Sequence, residues 1–175
     1  MKITGFGGQG IILTGILIGR AATLYEDKHA VLIQSFGPEA RGGACGAQLT
    51  VSDEPILYPY VKEPEILVTL SQEAYTTYIG QLKPGGILIY EENLVTPKNM
   101  PEGIKSYCVP STQIAEELGR RIVQNIVALG FFTAVTKIVD PKSMKEAIKT
   151  AVPKGTIDLN LKAFDKGFAY FKNGK

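Results

Sequence analysis

The chain has 175 residues, 45% of them hydrophobic and 21% charged, a balance that excludes intrinsic disorder. A net charge of +2 is too small to draw a nucleic acid or a membrane surface by bulk electrostatics. Two cysteines (Cys45 and Cys108) and one histidine (His29) exclude a disulfide scaffold, a four-thiolate iron–sulfur site within the chain and a zinc site of recognisable spacing.

In chain order, Lys2 to Phe6 reads as a short strand running into Gly5-Phe6-Gly7-Gly8-Gln9-Gly10, with an apolar helix from Gln9 to Tyr25 behind it. Ala30 to Gln34 is a β-branched run bounded by turn residues, so a buried strand is expected there. Ser35 to Gly43 reads as a loop, Cys45 to Val51 as a further strand and Ser52 to Pro55 as a turn. Glu65 to Leu70 is strand-like, and Ser71-Gln72-Glu73 opens a helix with a capping hydroxyl and an acid near its positive end. Lys83 to Gly86 is a turn, and strands follow at Ile87 to Tyr90 and Lys105 to Val109.

After Pro110 the pattern turns helical. Ser111 is expected to cap a helix through Leu118. Arg121 to Lys137 is apolar nearly all round, which predicts a buried helix. Asp140-Pro141 is a cap followed by proline at the first helical position. Ile157, Leu161, Phe164, Phe168 and Phe171 form one apolar stripe on the last helix. Strands spaced by helices predict an α/β fold: one Rossmann-like, mainly parallel sheet flanked by helices, with a helical C-terminal part, in a single domain over residues 1–175. No run of 18 or more apolar residues occurs, so no membrane span is expected. The residues from Met1 to Gly5 lack the features of a signal peptide, and two lone cysteines fit the cytoplasm.

Gly5, Gly7 and Gly10 fit G-x-G-x-x-G between a strand and a helix. Such a loop lets backbone approach an anion at the free N–H groups of the first helical turn. A dinucleotide site also needs an acid ending the second strand, but that strand ends Ile33-Gln34-Ser35. The Lys-Ser or Lys-Thr pair of an ATP-hydrolysing loop is missing as well. Phosphate binding and simple close packing therefore stay open from this loop alone. The segment from Ser35 to Gly43 is expected to leave the carboxyl end of a second parallel strand, beside the glycine loop. Its Arg41 has the planar fork to clamp a phosphate or carboxylate, or to pair with Glu39 or a partner's acid. The lysines from Lys137 to Lys154 read as a solvated face, and the tyrosines as packing residues.

Taken together, Gly5-Phe6-Gly7-Gly8-Gln9-Gly10, Ser35-Phe36-Gly37-Pro38-Glu39-Ala40-Arg41-Gly42-Gly43 and Ser52-Asp53-Glu54-Pro55-Ile56 resemble the gamma subunit of 2-oxoacid:ferredoxin oxidoreductases. Leu82-Lys83-Pro84-Gly85-Gly86, Asn125-Ile126-Val127-Ala128-Leu129-Gly130 and Asn160-Leu161-Lys162-Ala163-Phe164 extend the likeness over nearly the whole chain. Ala44-Cys45 after the double glycine is most similar to the 2-oxoglutarate branch, with the pyruvate, 2-oxoisovalerate and indolepyruvate branches open. The resemblance implies a complex that decarboxylates a 2-oxoacid on thiamine diphosphate. It passes electrons through [4Fe–4S] clusters to ferredoxin and the acyl group to coenzyme A. Thiamine diphosphate would lie between alpha and beta subunits, and the clusters in beta or in a ferredoxin-like delta subunit. The gamma chain would be inactive alone, with no catalytic residue, metal ligand or tightly bound cofactor of its own. It would serve coenzyme A binding and assembly, with Gly5, Phe6, Gly7, Gly8, Gln9 and Gly10 meeting phosphates through backbone N–H groups. Gln9 and Arg41 would add side-chain contacts. A docking subunit without ligand and a stand-alone dinucleotide-binding protein are the alternatives. Phe36, the Tyr58–Tyr60 segment and the last helix are expected to cause self-association when partners are absent.

Overall fold

The computed structural model describes residues 1–37 and 43–172. Strands β1 (Lys2–Phe6), β2 (His29–Phe36), β3 (Ala44–Ser52), β4 (Ile66–Thr69), β5 (Ile87–Glu91) and β6 (Lys105–Val109) form one sheet in the order β2-β3-β1-β4-β5-β6. β1, β4, β5 and β6 pair in parallel, whereas β3 is antiparallel to both β1 and β2. The helices are α1 (Ile11–Tyr25), α2 (Gln72–Tyr78), α3 (Ser111–Glu117), α4 (Gln124–Thr136), α5 (Pro141–Ala151) and α6 (Ile157–Lys172).

Alternation along the strands sorts the core into two layers. Ile66 and Val68 of β4 and Ile89 of β5 join the large cluster with α1 and α3 to α6. Leu67 and Leu88 point the other way, onto Tyr75, Ile79, Leu82 and Val95 around α2. The connection after β1 therefore covers one face of the sheet and the connection after β4 covers the other. β1 and β4 are adjacent and parallel, so a crevice opens at their carboxyl ends, the place where open α/β sheets take ligands.

One expectation is corrected at β2. It is an edge strand, half-buried from Ala30 to Ile33 and exposed from Gln34 to Phe36, and it pairs antiparallel with β3. Residues 37–43 are too few for the crossover that a parallel pair requires. β2 still runs in the same direction as β1, because β3 is antiparallel to both. Its carboxyl end consequently shares an edge with the glycine loop, as expected.

The helical part packs by close backbone approach. Every residue from Gln124 to Ala134 of α4 is buried. A Cβ on Gly130 would overlap the carbonyl oxygen of Phe164 in α6, and one on Gly167 the carbonyl oxygen of Val127 in α4. The stripe on α6 thus covers α4: Phe164 is fully buried, and the Phe171 ring meets Phe131 and Tyr107 edge-on at 5.8 Å.

Ser71 and Asp140 cap their helices as expected, accepting from the Ala74 and Lys142 amides at 3.2 and 2.7 Å. Ser111 does not, because it is the first residue of α3 rather than the residue before it. Glu91, 1% exposed at the end of β5, does that work. Its carboxylate accepts from the amides of Asn93 and Leu94, both at 2.7 Å, and of Thr112 in the first turn of α3 at 3.1 Å. Glu91→Ala would strand three amides, one of them at a helix N-terminus. It is expected to cost about 3 kcal/mol, read as a lower denaturant midpoint. A midpoint within error of the parent would show that water replaces the carboxylate.

Candidate functional site

At the carboxyl edge, β1 runs into a turn in which the Gln9 amide donates to the Phe6 carbonyl at 3.1 Å. The Gln9 side chain braces this turn at both ends. Its Oε1 accepts from the Phe6 amide at 2.6 Å, and its Nε2 donates to the Leu70 carbonyl beyond β4 at 2.8 Å. Gly5 leaves room for this brace, since a Cβ there would overlap the Gln9 oxygen and come within 2.9 Å of Ile11.

Gly10 has φ +74 and holds the N-terminus of α1 with no side-chain cap. This left-handed residue starts the helix at Ile11, two residues later than the sequence suggests. The Gly10 carbonyl accepts from the Thr14 amide and hydroxyl, both at 3.0 Å, and from Asn125 Nδ2 at 3.4 Å. A carbonyl pinned in this way fixes the peptide plane, and with it the direction of the Ile11 N–H. The amides of Ile11, Ile12 and Leu13 have no intrahelical acceptor, and the first turn holds no acid to compete for them.

The second loop meets the first through backbone. The Gly7 amide donates to the Gly43 carbonyl at 2.9 Å, and the Gly37 amide to the Ala44 carbonyl at 2.7 Å. Between them lies a cleft of about 570 Å³, lined on its loop side by Gly7, Gly8, Gly10, Gly37 and Gly43. Phe36 and Ile122, 68% and 77% exposed, also line it. Of the six loop residues expected to form the site, Gly7, Gly8 and Gly10 face the cleft, whereas Phe6 does not line it and its amide, expected to meet a phosphate, is taken by Gln9 Oε1. Gly5 and Gln9 shape the loop from behind. Arg41 and its neighbours from Pro38 to Gly42 lie outside the described residues. Asn125, 115 positions from Gly10, enters the sequence reading only within a family-like stretch and not as a site residue.

Cys45 also lines the cleft, and burial pushes its thiol up, so it stays protonated near neutral pH. Cys45 sits in β3 and Cys108 in β6, with β1, β4 and β5 between them. Two thiols so far apart do not fit an iron–sulfur cluster. Among the described residues no group of three histidines, cysteines or carboxylates could hold a metal ion. No helix among them is long and apolar enough to cross a membrane.

Residues 1–170 match the pyruvate ferredoxin/flavodoxin oxidoreductase family. The chain belongs to this family. It is 51% identical over 174 residues to the KorC subunit of 2-oxoglutarate synthase from Methanocaldococcus jannaschii, covering 98% of this chain and 93% of that one. The gamma subunit of a keto/oxoacid ferredoxin oxidoreductase from Geobacter sulfurreducens shares the fold with a TM-score of 0.86 at 37% identity, over 99% of this chain and 98% of that chain. The 2-oxoglutarate:ferredoxin oxidoreductase from Magnetococcus marinus, solved with 2-oxoglutarate, coenzyme A and succinyl-CoA bound, also gives a TM-score of 0.86 at 27% identity. There the match covers 99% of this chain but 31% of that one. This chain's fold thus matches about a third of that longer chain. The stand-alone dinucleotide alternative loses its topology too: β3, not β2, adjoins β1, so the end of β2 is displaced from the position of the ribose acid.

Proposed function

We propose that this chain is the gamma subunit of an oxidoreductase that converts 2-oxoglutarate to succinyl-CoA with reduction of ferredoxin, and that the glycine-loop cleft receives coenzyme A. The 51% identity to a 2-oxoglutarate synthase subunit over almost the full length carries the substrate assignment. The open first turn of α1, with Gly8 and Gly10 in left-handed conformations beside it, supports the coenzyme A role.

Gly7, Gly8 and Gly10 let the diphosphate approach main chain, and the amides at the start of α1 donate to it. Arg41, by its place in the second loop, adds a cation. Gln9 holds the turn from behind. The protonated Cys45 thiol offers no competing nucleophile to the thioester. Thiamine diphosphate and [4Fe–4S] clusters belong to alpha, beta and ferredoxin-like partners, and supply decarboxylation and electron transfer there. The exposed Phe36 and Ile122 give a docking role its own support, since they crowd the same cleft.

Co-expression with alpha and beta partner chains should give a complex that reduces ferredoxin with 2-oxoglutarate, dependent on coenzyme A. This chain purified alone should show no turnover and no stoichiometric iron. A complex that prefers pyruvate would overturn the substrate assignment. Full activity of alpha and beta without this chain would overturn the subunit role.

A further inference from the structure

We propose that the glycine-loop cleft continues into a second subsite, formed around Arg120, Asn125 and Asn160, that takes the adenosine 3′-phosphate end of coenzyme A. This rests on the coenzyme A reading of the cleft and assigns one end of the ligand within it.

A groove of about 220 Å³ adjoins the cleft, and the two share Leu13, Ile122 and Asn125 as lining. Val123, Val152 and Leu159 give the groove apolar walls, suited to a flat ring. Two carboxamides line it although they are nearly fully buried, Asn125 at 3% and Asn160 at 7% exposure. Each spends its Nδ2 on a backbone carbonyl: Asn125 on Gly10 at 3.4 Å, Asn160 on Thr156 at 2.8 Å. Their carbonyl oxygens have no partner among the described residues. Among the described residues only Thr69 Oγ1 and Ser111 Oγ are fully buried without a partner, so both Asn oxygens stay accessible and can accept from a ligand N–H group.

Arg120 lines the same groove. Its neighbour Arg121 reaches Glu116 at 3.9 Å, but Arg120 has no ion pair among the described residues. A guanidinium is always charged, and its fork matches a phosphate. The groove therefore asks for an apolar ring with N–H donors and an anion close by. Adenosine 3′-phosphate has all three, and in coenzyme A it is joined directly to the diphosphate that the glycine loop would hold. The pantetheine arm would satisfy the two oxygens and leave Arg120 unmatched.

The test compares coenzyme A with dephospho-coenzyme A, which lacks only the 3′-phosphate, as acyl acceptors for the assembled complex. The parent should need about tenfold less coenzyme A than dephospho-coenzyme A for half-maximal rate. Arg120→Ala should bring the ratio close to one by raising the coenzyme A requirement, with the dephospho-coenzyme A requirement unchanged. Arg120→Lys should retain part of the preference. An unchanged ratio in Arg120→Ala, or an equal rise for both acceptors, would overturn the subsite. If Gly8→Ala raises both requirements while Arg120→Ala leaves the ratio alone, only the subsite falls. If neither variant changes either requirement, the coenzyme A reading of the cleft falls with it.

Discussion

Gly167→Ala should destabilise the chain by about 2–4 kcal/mol, although alanine is intrinsically the better helix former by roughly 1 kcal/mol. The added carbon would overlap the Val127 carbonyl oxygen and lie 2.8 Å from its carbon and 3.1 Å from the Phe131 nitrogen. All three are backbone atoms of a helix buried along most of its length, so no side-chain rotation relieves the clash. α6 would have to lift away from α4, opening the packing of Phe164 and Phe171 behind it. Gly130→Ala should behave alike, for the reciprocal contact with the Phe164 carbonyl. Gly80→Ala is the comparison: among the described residues no heavy atom lies within 4 Å of its added carbon, and its φ is not positive. Its stability should change by less than about 0.5 kcal/mol. Denaturant unfolding of the three variants reads this directly, and a Gly167→Ala midpoint equal to that of Gly80→Ala would refute the close approach.

Gly8→Ala should raise the coenzyme A concentration for half-maximal rate by about tenfold or more in the assembled complex. Gly8 has φ +98, and its added carbon would meet no atom of the described residues within 4 Å, in a residue that lines the cleft. The carbon would project into space that the proposed diphosphate needs, and the backbone would be strained as well. Gly85→Ala separates these effects, because Gly85 has φ +76 and equally open surroundings away from the cleft. It should cost stability without changing the coenzyme A requirement. Decarboxylation of the oxoacid before acyl transfer should persist in Gly8→Ala, because the proposed function assigns that step to partner chains. An unchanged coenzyme A requirement, with subunits failing to associate, would instead make the cleft a docking surface.

Local patterns in the sequence determined much of this protein. Ser71, Asp140 and Pro141 mark helix starts through short-range hydrogen bonding and fixed φ, so neighbouring residues suffice to read them. The all-round apolar run of α4 and the stripe of α6 follow from burial at helical period, and the loop of Gly5 to Gly10 from strand, glycines and helix in succession. Tertiary structure alone decided what depends on distant partners. The short β2–β3 connection is enough to make that pair antiparallel, but the insertion of β3 between β2 and β1 is a choice of neighbours that hydrophobic period does not encode. The cap of α3 is Glu91 rather than Ser111, because a carboxylate two elements away reaches the helix amides first. Gln9 and Asn125 reveal their work only when Leu70 and Gly10 are in place, 61 and 115 residues away along the chain. Side-chain hydrogen bonds of that range are set by how α1, β4 and α4 pack together, and such packing leaves no spacing in the sequence to read.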